Sequence, residues 1–319
     1  MYQEFFDFSE NPFAFSCDPR FFFMTENHKE VLDSLVYGIT ERKGFILLTG
    51  EIGTGKTTLI NKLLTLLDSS IQAFPISQPT NNIDELLEGV VRGLEFPLVE
   101  RNKGFPASTF NNFLIERSAR GENSVLIVDE AQALNKDTLE GLRLLSNPDP
   151  RKPKFLQEVF VGQPDIEDKL RSWDLRQLQQ RIAGRYRLRP LTQEETLQYI
   201  EFRLNQVGSS IKNVFTQEAA ELICRQGKGI LSNINRICYL ALSLGYALSR
   251  RKIGLDEVKA VFSLWKLQKP GQGQRFSDFM EGLTTKYQQN SPIMKISYSL
   301  LAYSLLLWIM FFFLYWKGQ

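Results

Sequence analysis

Short apolar runs alternate with helical stripes along the first 190 residues. Val31, Leu32, Leu35, Val36 and Ile39 recur at three- and four-residue spacing from about Asn27, which lines them up on one face of a helix. Gly44 breaks that pattern just ahead of Phe45-Ile46-Leu47-Leu48, a continuous apolar run of the kind that forms a strand buried on both faces. Leu59, Leu63, Leu64 and Leu67 resume a helix expected to reach about Asp68, and Ile71–Ser77 reads as a second strand that Pro75 pushes toward a sheet edge. A helix led by Asp84-Glu85, a looser Gly/Pro-containing link and a helix over about 110–120 follow. Ser124–Val128, Phe155–Gly162 and Arg185–Leu188 then supply three more strand-like segments. This alternation predicts an α/β fold, a parallel sheet with helices on both faces.

Beyond Leu191 the strand pattern stops. Thr192-Gln193-Glu194-Glu195 is a capping-box signature, Thr216-Gln217-Glu218 a second helix start and Leu255-Asp256-Glu257 a third. The expected organisation is an α/β domain over 1–190, with an irregular aromatic and proline-rich arm at 1–26, then a small helical domain over 191–267. Lys269-Pro270-Gly271-Gln272-Gly273-Gln274 opens a polar linker over 268–295. Residues 296–316 carry no charge, and about 21 residues suffice for a helix to cross a ~30 Å hydrocarbon core. Tyr298 at one end and Tyr315-Trp316 at the other suit interfacial aromatic belts. A C-terminal transmembrane helix is therefore expected.

Charge adds little. Lys+Arg number 38 against 36 for Asp+Glu, a net +2, so no global excess advertises nucleic acid or an acidic substrate. Cys17, Cys224 and Cys238 lie far apart and make neither a C-x-x-C pair nor a zinc spacing, which suits reduced thiols acting as filler. Acids in Met1–Asp7 argue against a cleaved signal peptide.

The chemistry begins where the first strand ends. Gly50-Glu51-Ile52-Gly53-Thr54-Gly55-Lys56-Thr57 matches the phosphate-loop pattern G-x-x-x-x-G-K-[ST], continued by Thr58. In such a loop successive backbone N–H groups point at phosphate oxygens, the lysine reaches the outer phosphates and the hydroxyl of Thr57 meets Mg²⁺. Val125–Val128 runs into Asp129-Glu130. Carboxylates at the end of an apolar strand need a cation or donors nearby; Asp129 is placed to hold the metal and Glu130 to activate a water against a terminal phosphate.

Six blocks in this order resemble the AAA+ ATPases of the ExeA/GspA secretion type: Glu26–Glu30, Leu48–Thr58, Val128–Gln132, Leu142–Asn147, Val161–Pro164 and Leu175–Ile182. The resemblance implies ATP and Mg²⁺ as ligands, a P-loop ATPase domain with a helical lid, one inner-membrane span with the ATPase cytoplasmic, and a periplasmic peptidoglycan-binding domain. The sequence ends at Gln319, too soon to include that last domain, so it is expected to be either a fragment or a tail-anchored ATPase that borrows periplasmic contacts from a partner. The resemblance also implies Gln163 as the sensor of the γ-phosphate or water, Arg181 as an arginine finger working in a neighbouring subunit, and His28 as part of the segment near the adenine. Arg176 and Arg185 are rivals of Arg181, and helix capping or packing is the other reading of His28. Ser232 stands where the family's lid arginine is expected, which implies slow hydrolysis unless Arg236 substitutes. The expected partners are copies of the same chain, an envelope secretion component and the membrane. A DNA-associated regulator or an ATP-sensing adaptor is the alternative, although the apolar tail makes nucleic acid an unlikely partner.

Overall fold

In a computed structural model of the chain, residues 2–14, 18–92, 107–145 and 156–267 are described. They divide into two compact units, Ser16–Glu195 with Gly229–Ser232, and Met1–Phe15 with Thr196–Lys228 and the residues from Asn233 on. The expected linker 268–295 and membrane segment 296–316 lie outside the described residues. Among those described, no helix is long and apolar enough to cross a membrane.

The larger unit is built on five parallel strands, β1 (Phe45–Gly50), β2 (Ile71–Ile76), β3 (Asn123–Val128), β4 (Gln157–Gly162) and β5 (Ile182–Leu188), in the order β2-β3-β4-β1-β5. β1, β3 and β4 are buried along their whole length, as continuous apolar runs require when helices cover both faces. Alternate residues sort onto the two faces. Phe45, Leu47, Leu126, Val128 and Phe160 meet helices Ile83–Arg92, Ala107–Ala119, Lys136–Leu145, Asp165–Leu170 and Arg176–Arg181. Ile46, Leu48, Val125, Ile127, Val159 and Val161 meet helices Glu26–Thr40 and Lys56–Leu64. The Pro75-containing strand β2 does lie at an edge. β5 starts three residues earlier than the alternation of arginines indicates, because Ile182 and Gly184 pair with Phe45 and Ile46 of β1 while Ala183 bulges between them, and neither Ala183 nor Gly184 carries a strand signal. The phosphate-loop helix stops at Leu64, where the Thr65 hydroxyl donates to the Lys62 carbonyl at 2.7 Å and the chain tightens into three-residue turns.

The smaller unit holds helices Ile211–Val214, Gln217–Gly227 and Leu255–Leu267 and most of Gln193–Asn205 and Leu231–Ala247. The start of the chain groups with these helices and not with the sheet. It contains a short helix, Tyr2–Phe5, and is anchored by Phe13, which is fully buried, and by Arg203, whose guanidinium donates to the carbonyls of Pro12 and Ala14. Cys224 and Cys238 are buried in this unit. Burial pushes the Cys224 thiol up to about 11 and that of Cys238 well above its usual value, which keeps both unreactive near neutrality.

Candidate nucleotide site

The loop between β1 and helix Lys56–Leu64 needs two glycines for its path. Gly53 (φ 82°) and Gly55 (φ 94°) occupy left-handed backbone, where a side chain is strained. Thr54 is buried and its hydroxyl donates to the Glu51 carbonyl at 2.9 Å, closing the turn. Glu51 and Ile52 are exposed on its outer rim, so only their backbone is available to phosphate. Lys56 is buried, its Nζ donating to the carbonyls of Gly50 (2.8 Å) and Glu51 (3.1 Å). Burial draws its pKa down, while the carboxylates of Glu130, Asp129, Glu51 and Asp165 pull the other way. Thr58, half-buried, follows in the first turn of the helix.

Sheet order brings the two motifs together. β4 lies between β1 and β3, so the carboxyl ends of β1, β3 and β4 open onto one crevice, the usual ligand position in an open α/β sheet. Thr57 Oγ1 donates to Asp129 Oδ2 at 2.5 Å. The Asp129 carboxylate is buried, and its Oδ1 accepts the Glu130 N–H at 2.9 Å. An exposed hydroxyl on a buried carboxylate is the hard-oxygen donor set that suits Mg²⁺. Glu130 occupies left-handed backbone (φ 52°), which turns it away from Asp129. Its Oε2 accepts from Gln132 Nε2 at 2.5 Å and Gln163 Nε2 at 3.4 Å. Gln163 thus sits beside Glu130, on the turn leaving β4.

The remaining candidates fall elsewhere. His28 is buried in the first turn of helix Glu26–Thr40, where Thr25 caps its N–H and also meets its Nδ1 at 2.6 Å. Its Nε2 is buried without a hydrogen-bond partner, 3.6 Å from where a Cβ on Gly55 would stand. Burial lowers its pKa, opposed chiefly by the nearby Thr54 backbone. His28 therefore packs behind the phosphate loop. Arg181 stands at the other end of the sheet. Ile182, the next residue, pairs with Phe45, whereas Leu188 pairs with Gly50; five residue steps of strand put Arg181 roughly 17 Å from its own phosphate loop. It is half-buried and donates to the Arg143 carbonyl at 3.3 Å. Arg176 and Arg185 are exposed. Ser232 touches the loop itself. Its N–H donates to the Gly53 carbonyl at 3.2 Å, and a Cβ on Gly53 would fall 1.9 Å from its hydroxyl. Arg236, the proposed substitute, belongs to the other compact unit.

Gln132 is the site residue that motif reading passes over. Its sequence signals are its proximity to Glu130 and its place at the end of the Val128–Gln132 block, whereas its bond to the Gln163 N–H after β4 depends on the sheet order.

Residues 39–170 match the AAA domain family. Over 255 residues the chain is 39% identical to general secretion pathway protein A of Aeromonas hydrophila, covering 79% of this chain. Residues 39–170 thus carry the AAA domain pattern, and the chain is similar to the ExeA/GspA type. The chain spans 46% of that relative's length. The AAA domain's fold also recurs in the ORC2 protein of Aeropyrum pernix (TM-score 0.61, 16% identity, covering 80% of this chain and 72% of that one). The RuvB Holliday junction branch migration motor of Thermotoga maritima has it too (TM-score 0.51, 19% identity, covering 85% and 78%). At these identities the likeness shows the fold alone.

Proposed function

We propose that the AAA domain binds Mg-ATP and hydrolyses it to ADP and phosphate, and that the protein works at the bacterial inner membrane in assembly of an envelope secretion system. The observation that carries the ATPase reading is the Thr57–Asp129 hydrogen bond, which joins the phosphate loop to the acidic end of β3. Bound there, Mg²⁺ would neutralise phosphate charge. Lys56, already desolvated, exchanges the loop carbonyls for phosphate oxygens. Glu130 takes the proton of the attacking water, and Gln163 beside it orients that water. Arg181, too far from its own loop to act in cis, stabilises transition-state charge in a neighbouring copy, so the working form is a homo-oligomer. Ser232 in place of a lid cation makes turnover slow.

Secretion rests on the likeness to general secretion pathway protein A, and membrane attachment on residues 296–316, with the AAA domain on the cytoplasmic side where ATP is supplied. Lys56→Ala is expected to abolish nucleotide binding, and Glu130→Gln to retain binding while leaving only a small residual rate of phosphate release. Wild-type turnover by Glu130→Gln would remove Glu130 from the mechanism.

A further inference from the structure

Glu130 is held by more than its backbone. Gln132, two residues on, uses both ends of its side-chain amide: Nε2 donates to Glu130 Oε2 at 2.5 Å, and Oε1 accepts the backbone N–H of Gln163 at 3.1 Å. The Gln132 carbonyl and that of Leu134 accept from Lys169 Nζ at 2.5 and 2.7 Å, which pins the turn. Gly162 leaves room for the amide, since a Cβ there would come within 2.8 Å of Gln132 Oε1. Gln163 Nε2 adds a longer bond, 3.4 Å, to the same Oε2. No donor among the described residues reaches Glu130 Oε1.

We infer that Gln132 is a positioning residue for Glu130: it ties the carboxylate to the end of β4 through Oε2 and leaves Oε1 as the oxygen that receives the proton from water. This rests on the reading of Glu130 as the general base. The division of labour follows from the two bonds. The Gln132 tie is short and anchored to a backbone N–H, so it persists when the Gln163 side chain turns toward phosphate. The Gln163 tie is long and is the one that nucleotide can break. A carboxylate with one oxygen immobilised samples fewer orientations, and orientation is what a general base contributes once its proton affinity is set.

The test is a double-mutant cycle on steady-state ATP hydrolysis by the full-length protein, with nucleotide affinity measured separately. Gln132→Ala should lower kcat about tenfold while KM and the ATP dissociation constant move by less than about threefold. In a Glu130→Gln background the same change should leave the residual rate unaltered, because its effect passes through Glu130. A wild-type kcat for Gln132→Ala beside a strongly slowed Glu130→Gln overturns the inference and leaves the base assignment standing. So does a full further loss in the double variant. Wild-type turnover by Glu130→Gln instead defeats the base assignment, and the inference with it. Gln132→Met, which fills the same space without donor or acceptor, takes the place of Gln132→Ala if the latter fails to fold.

Discussion

Glu158 sets up a measurable conflict inside the sheet. It lies on β4 between Phe45 of β1 and Leu126 of β3, is fully buried, and neither carboxylate oxygen has a hydrogen-bond partner. Burial raises its pKa well above the usual glutamate range, and the charge of Arg181 opposes this only in part. The folded protein therefore holds a proton that the unfolded chain releases above about pH 5. The contribution is fully present below the unfolded pKa and is lost as pH rises toward the folded one, at about 1.4 kcal/mol per pH unit while the native carboxyl stays protonated. Wild type should therefore lose stability as pH rises from about 6 to about 8. Glu158→Met, of similar volume and without ionisable atoms, should abolish this slope and be more stable than wild type by about 1–3 kcal/mol near pH 8. Urea unfolding followed by circular dichroism, wild type against variant at both pH values, measures the difference. A stability difference that stays constant across that range refutes the reasoning, because it means that Glu158 does not change protonation on folding.

Two further outcomes follow from the site. Gly53→Ala combines left-handed backbone with a collision against Ser232, so it should weaken ATP binding by at least about tenfold, a loss of about 1.4 kcal/mol, read by nucleotide titration; unchanged affinity would mean that the loop is free to move off Ser232. Arg181→Ala and Glu130→Gln should each be strongly slowed alone yet regain phosphate release when mixed, because an oligomer then holds sites with an intact base beside an intact arginine; no recovery in mixed oligomers counts against a finger in trans.

Much of the AAA domain was legible along the chain. The runs at Phe45–Leu48 and Val125–Val128 had to be buried strands, since they have no polar face to offer water. The Thr192 capping box forms as its spacing predicts, the Thr192 N–H donating to Glu195 at 2.8 Å and the Glu195 N–H to the Thr192 hydroxyl at 3.1 Å. The phosphate loop is a local motif whose residues are contiguous, so its geometry travels with its spelling.

Tertiary structure decided what depends on strand order. No periodicity says that β4 inserts between β1 and β3, yet that insertion brings Gln163 beside Glu130 and lets Gln132 bridge them. The grouping of residues 2–14 with the helical unit, the approach of Ser232 to Gly53 and the burial of Glu158 are of the same kind. Each is a contact between residues far apart in the chain, fixed only when the apolar faces of separate elements are packed together. Sequence by itself determined which side chains are candidates for the proposed chemistry, because that depends on residue type and local spacing. Folding determined which of them meet, because the sheet order sets the distances across which hydrogen bonds and charges act.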